Sequence, residues 1–227
     1  MDLRREYKVL FKQVNVAKHI KTVFPSSSYG GFGKLAFAVA LGPYESEGWF
    51  ANCWYQRRET RNELLIEALM GKSAEEIRNI KAVFKDAKYL NSLEKVVRNE
   101  LEGNKFRMAV LMQLEGLRMD EATEVNADGV KKDATRLGDV LERKDARGGE
   151  TMMVEILVNR SDRWIREMAR LYKATYGRDL AKAVRRHSKN LVVCSPYFYH
   201  YSCGSDFLSI GRDSPPYHQR RSRQAPP

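Results

Sequence analysis

The sequence predicts an all-α protein built from repeats of one five-helix unit. Three observations carry this. First, three stretches are imperfect copies of one another: "EYKVLFKQVNVAKHI" from Glu6, "VFKDAKYLNSLEKVV" from Val83 and "LYKATYGRDLAKAV" from Leu171. Each sets an aromatic residue before a lysine (Tyr7-Lys8, Phe84-Lys85, Tyr172-Lys173), leaves a gap, and resumes with a polar residue ahead of an apolar run. Second, the later two copies extend upstream. "ELLIEALMGKSAEEIRNIKAVFK" lies over "TMMVEILVNRSDRWIREMARLYK" at a constant offset of 88 residues, so Glu67 meets Glu155, Ser73 meets Ser161 and Phe84 meets Tyr172. Third, apolar residues recur at helical spacing, through Ile77, Ile80, Val83, Phe84 and Ala87 and through Ile165, Met168, Leu171, Tyr172 and Tyr176, which is the pattern of a helix with one buried stripe.

The elements follow in order. Asn15, Ser92 and Asp179 open the runs "NVAKHI", "SLEKVV" and "DLAKAV" and are strong N-caps, so each copy reads as a helix-turn-helix corner. After the first two corners come "SSSYGGFGKLAFAVALGP" and "ELEGNKFRMAVLMQLEGL", each a glycine-bearing turn, a phenylalanine and an apolar helix. Further helices are expected at roughly 44–56 and 128–143, then shorter ones at 63–70 and 151–159. Ser73 with Glu76 is a capping box, and Ser161 is the N-cap of the matching helix. No segment alternates polar with apolar, so residues 2–189 are expected to be helical without a sheet.

At 227 residues the chain can bury a full core. It has no run of about 18 apolar residues, and its start, "MDLRREYKVLFKQ", lacks an apolar stretch of the secretory kind. Neither a membrane span nor a secretion signal is expected. Cys53, Cys194 and Cys203 form neither an even disulfide set nor a CxxC pair, which predicts a reducing, intracellular setting. The net charge of +11 implies an acidic partner, such as a phosphate-rich membrane surface or nucleic acid.

On these residues the chain resembles the annexin family. "VKKDATRLGDVLERKDARGGETMMVEILVNRSDRWIREMARLYKATYGRDLAKAV" is similar to an annexin third repeat, "NELLIEALMGKSAEEIRNIKAVF" to a second, and "MDEATEVNADG" to the link between them. The resemblance implies annexin-like repeats of five helices, A to E, in a curved right-handed superhelical array. Its register divides the chain into a partial repeat one at 1–42 (helices C to E), repeat two at 43–118, and repeat three at 119–190 (helices A to D). Residues 191–227 match nothing in the family, and Pro196, Pro215, Pro216 and the closing "QAPP" oppose helix, which predicts a disordered or misread tail.

The resemblance also implies calcium-dependent binding of anionic phospholipid, with Ca2+ held by carbonyls of a Gly-x-Gly-Thr loop between helices A and B and by a distal acidic side chain. In repeat two the loop maps to Arg57-Arg58-Glu59-Thr60, without glycine, while Glu100 matches the distal acid. In repeat three the loop keeps Gly148, Gly149, Glu150 and Thr151 but orders them Gly-Gly-Glu-Thr, and the acid's place falls to His187. Glu100 therefore reads as a solvated carboxylate or half a site, and Gly148 and Gly149 as a plain turn or a weak calcium loop. A hard cation needs several oxygen ligands at once, so the expected calcium binding is weak or absent.

"GGFGKL" lacks the spacing and the terminal Ser or Thr of a phosphate loop, and Phe32 and Leu35 read as core. Trp49, Trp54 and Trp164 sit on helical segments and read as half-buried packing residues. His19, His187, His200 and His218 are scattered, no catalytic constellation is found, and neither an enzyme nor a small-molecule substrate is expected.

Charge is uneven along the chain. Residues 119–159 carry six basic and ten acidic side chains, whereas 160–190 carry ten basic and three acidic. The basic block includes Arg160, Arg163, Arg166, Arg170, Lys173, Arg178, Lys182, Arg185, Arg186 and Lys189. It reads as a solvated helix face or as a contact for an anionic leaflet, with Arg163, Arg166, Arg170, Lys173, Arg185 and Arg186 as the phospholipid-binding candidates. The expected setting is cytoplasmic and peripheral to membranes. A rival reading uses the same face for nucleic acid or an acidic protein, although aromatic residues interleaved for base stacking are missing from it.

Overall fold

The computed structural model describes residues 3–56, 61–103, 105–142 and 149–187, and of residues 26–29 the backbone alone. The described residues form twelve α-helices and no strand: α1 Leu3–Leu10, α2 Val16–Val23, α3 Ser26–Leu41, α4 Pro43–Cys53, α5 Asn62–Leu69, α6 Ala74–Val83, α7 Leu93–Glu100, α8 Lys105–Glu115, α9 Ala127–Glu142, α10 Gly149–Asn159, α11 Asp162–Tyr176 and α12 Leu180–His187. None of them is long and apolar enough to cross a membrane. The expectations for Arg57 to Thr60, Gly148, Lys189 and the tail from residue 191 fall outside the described residues.

Side-chain caps set the helix starts. Asn15 Oδ1 accepts from the amides of Ala17 at 2.9 Å and Lys18 at 3.2 Å. The Ser73–Glu76 capping box is complete in both directions, at 3.2 and 2.8 Å. Ser92 Oγ accepts from Lys95 N and Ser161 Oγ from Trp164 N, each at 3.3 Å. Asp179 precedes α12, and its carboxylate meets Lys173 Nζ at 3.0 Å and Lys182 Nζ at 3.5 Å.

The three corners are built, but not identically. The first turns through Lys12 and Gln13 and the second through Leu90 and Asn91, two consecutive left-handed residues in each case. The third lets α11 run on past Tyr172 and stops it at Gly177, with φ of 67°. In the second corner α6 ends at Val83, so Phe84 caps the helix and Ala87 is exposed in a 3-10 turn, Ala87–Tyr89. The apolar stripe expected through Ala87 therefore stops at Phe84. The glycine turn expected before the first apolar helix is a kink inside α3, where Gly30 takes φ 51° and ψ −123°.

One apolar core runs through α4 to α12. Trp54, Leu65, Leu69, Ile77, Ile80, Phe84, Leu93 and Phe106 fill one group of helices, α4 to α8; Leu137, Met153, Ile165, Met168, Tyr172 and Leu180 fill the other, α9 to α12. Packing of α8 on α10 joins the groups. At the joint Arg118, a buried residue, donates through its guanidinium to the Val158 carbonyl at 3.2 Å and pairs with Asp162, while Met119 N donates to the Asn159 carbonyl at 2.7 Å.

Two packing expectations need correction. Trp54 and Trp164 are fully buried, while Trp49 alone is half-buried, against Phe37 and Phe50. Phe32 and Leu35 are not core: they are 60% and 63% exposed. The helix α3 buries Gly33 and Ala38 and packs chiefly on α2 and α4, whereas Phe32, Leu35 and Val39 lie largely exposed on its other face, with Phe32 edge-on to Phe24 at the end of α2.

Candidate functional site

The α4 helix leads through Trp54 to Tyr55, just before the glycine-free stretch Arg57 to Thr60. The Tyr55 hydroxyl donates to Asp86 Oδ2, and Asp86 is buried and also accepts from Asn52 Nδ2 at 2.8 Å and from the Lys88 amide at 3.0 Å. Burial first, then this bond to a carboxylate, pushes the Tyr55 hydroxyl well above its ordinary pKa. The 3-10 turn that Asp86 caps presents Lys88 and Tyr89 toward the end of α7, where Glu100 lies.

There Glu100 Oε1 accepts from both Lys88 Nζ and the Tyr89 hydroxyl. The Lys88 ammonium also stands 4.8 Å from the centroid of the Tyr89 ring and 5.8 Å from that of Tyr55. Lys88, then Tyr89, holds the Glu100 carboxyl below its usual range, and the ammonium is raised in return. Glu100, the candidate distal acid, thus already carries a cation. The sequence reading missed Tyr55, Lys88 and Tyr89. The available signal was the "AKY" of the second corner, which places a lysine beside a tyrosine where the third corner has "ATY".

At the second candidate, Gly149 and Glu150 open α10 and both are half-buried. A Cβ on Gly149 would lie 2.4 Å from Val140 Cγ1 on α9, so close helix approach is itself sufficient reason for this glycine. Thr151 Oγ1 accepts from Lys105 Nζ. At the end of α9, Glu142 accepts from the Tyr172 hydroxyl at 2.8 Å and from Arg178 Nη1 at 3.1 Å. Burial, then Glu142, pushes the Tyr172 hydroxyl up. His187 is the last residue of α12. Among the described residues no group of three or more His, Cys, Asp or Glu side chains is arranged to hold a metal. A hard cation takes six to eight oxygen ligands, and the described side chains at these two places supply Glu100 to one and Glu150 to the other.

The basic block separates into three places. Arg163, Arg166 and Arg170 share one exposed stripe of α11 and line a groove of about 760 Å³ whose apolar wall is Val125, Ala127, Val130 and Leu171. Acidic neighbours temper them: Arg170 Nη1 lies 2.6 Å from Glu167, and Arg163 N donates to Glu121 at 3.3 Å. Lys173 is committed to Asp179. Arg185 and Arg186 are exposed in the last turn of α12. Three of the six candidates therefore lie together along one groove, and three lie outside it.

Comparison with known proteins supports the fold. Annexin III superposes with a TM-score of 0.70 at 21% identity, over 85% of this chain and 57% of its own. Annexin A8 gives 0.69 at 19%, over 85% and 58%, and calcium-bound alpha-14 giardin 0.64 at 16%, over 84% and 60%. The chain thus has the all-α annexin repeat fold and spans about three fifths of the length of these structures. No family model matches it, and no curated protein does.

Proposed function

We propose that this chain with an annexin fold is a peripheral binder of anionic phospholipid surfaces whose attachment depends little or not at all on calcium. The observation that carries the reading is the Lys88 ammonium on Glu100: the carboxylate that the annexin resemblance offers as a distal calcium ligand is paired with the chain's own cation. Repeats at 1–42, 43–118 and 119–190 are part of the same proposal. Surface charge supplies the attraction, since each basic side chain near an anionic leaflet contributes up to about 1 kcal/mol, falling with salt. Arg163, Arg166 and Arg170 supply it at the α11 groove, with Lys173, Arg185 and Arg186 as the wider basic surface.

Cosedimentation with phosphatidylserine vesicles tests this. Binding should persist in chelator, weaken steeply between low and physiological salt, and disappear when Arg163, Arg166 and Arg170 are all changed to Glu. Calcium affinity without vesicles should sit at the millimolar end of oxygen sites. Binding that vanishes in chelator would sink the proposal.

A second reading, binding of nucleic acid or of an acidic protein, is favoured by one feature: the three arginines border a groove with an apolar wall rather than a flat face. Preference for a single-stranded oligonucleotide or an acidic peptide over phosphatidylserine vesicles would establish it.

A further inference from the structure

We propose that Tyr55, Tyr89 and Glu100 form a binding cage for an alkylammonium ligand of the choline type, occupied in this structure by the side chain of Lys88. The inference goes beyond the anionic-surface reading and does not depend on it. The cage declares its chemistry through its occupant. The Lys88 ammonium lies against two aromatic rings, at 4.8 and 5.8 Å from their centroids, and on one carboxylate. Ring faces attract cations through their quadrupole, and a desolvated quaternary ammonium gains most from such walls because it makes no hydrogen bonds of its own.

The walls are fixed independently of the occupant. Tyr55 is held through its hydroxyl by Asp86, which Asn52 and the Lys88 backbone amide hold in turn. Tyr89 is held through its hydroxyl by Glu100. The two rings stand 6.1 Å apart at 69°, so they present an open corner rather than a stack. Walls already in place need no ordering when a ligand arrives. The occupant is the loosest part. Its side chain is 64% exposed, and an exposed ion pair on a four-carbon stem is weakly held. When the ammonium leaves, the Glu100 charge is left beside two rings, and another cation is drawn in.

The same residues are ill suited to Ca2+. They offer a single carboxylate and neutral phenols, against the six to eight oxygens that a hard divalent ion requires. A soft monovalent cation asks for a net charge of −1 and apolar walls, which is what remains once Lys88 is displaced.

Lys88 thereby acts as a tethered competitor. A ligand that needs the vacated cage sees an affinity reduced by the fraction of time the cage is vacant. Replacing Lys88 by Ala removes the competitor and leaves the walls intact. The test titrates the full chain and its Lys88→Ala variant with tetramethylammonium and with phosphocholine, followed by tyrosine fluorescence and calorimetry. The variant should bind both at least about five-fold more tightly than the native chain, in keeping with removal of the competing state. Adding Glu100→Gln should abolish the gain. Tyr89→Ala should lose it, because the ring meets the cation. Phosphatidylcholine vesicles form the second arm: tighter vesicle binding by Lys88→Ala makes a lipid headgroup the source of the ammonium, and a gain for soluble phosphocholine alone makes it a free ligand. No binding to Lys88→Ala, or binding that survives Glu100→Gln, overturns the proposal. Neither arm contains anionic lipid, so failure here leaves the phosphatidylserine result untouched, and the reverse.

Discussion

Glu100 and Asp179 each sit beside a lysine, and the lysine in each case is the main cause of a lowered carboxyl pKa, Lys88 for the first and Lys173 for the second. Each carboxyl therefore gives up its proton more readily in the folded chain than in the unfolded one. Its contribution to stability is complete above the unfolded value, about pH 4, and drains away as pH falls through the lower folded value. Urea unfolding between pH 6 and 2.5 should show stability declining below about pH 4, and Asp179→Asn should make that decline shallower. A variant as steep as the native chain would remove Asp179 from the account. At this scale the sequence is readable where partners are near neighbours. The Ser73–Glu76 box and the caps at Asn15, Ser92 and Ser161 are local chemistry with local spacing. The pairing of Lys88 with Glu100 is not, because it joins residues twelve apart across a corner whose turn is set by two left-handed residues, Leu90 and Asn91. Glu100 could be singled out from the chain; the cation lodged on it could not.

Among the elements, α9 and α11 approach each other closely through two glycines. A Cβ on Gly129 would lie 2.5 Å from the Trp164 ring, and one on Gly138 would lie 2.1 Å from the Tyr176 hydroxyl and 2.2 Å from its ring carbon. Gly138→Ala should therefore destabilise the chain by about 1–3 kcal/mol, the usual cost of overpacking, rather than stabilise it as alanine does in an open helix. A thermal melt decides the sign. The opposite lesson comes from α3. Helical periodicity places Phe32, Leu35 and Val39 on one face, and that much is correct; whether another element arrives to cover a face is a property of the assembly, not of the period. Leu35→Lys should accordingly stay within about 0.5 kcal/mol of the native stability. Leu65→Ala, at a fully buried position of α5, should cost about 2–5 kcal/mol. Comparable losses from both would mean that Leu35 is covered in solution.

Across the whole molecule, the repeat period, the helix order and the annexin fold are all recoverable from the chain, because a stacked array repeats the same local decisions at a fixed interval. What the interval does not encode is how strongly one group of helices depends on the next. Beside the apolar packing of α8 on α10, Arg118 adds to that dependence: its side chain, 4% exposed, reaches from the end of one group to Val158 and Asp162 of the other. Stacked arrays can melt piecemeal when the contact between neighbours is weak and as one body when it is strong. Arg118→Ala would leave Asp162 without this partner inside the joint, at a cost of about 3–5 kcal/mol if the pair behaves as a buried one. Calorimetry should then resolve two transitions where the native chain shows one, and hydrogen exchange in α5 should become independent of that in α10. The joint of α8, α10 and Arg118 would thus make the melting of either half the melting of both, so that partly opened forms with one group unravelled stay too scarce to expose their cores to each other.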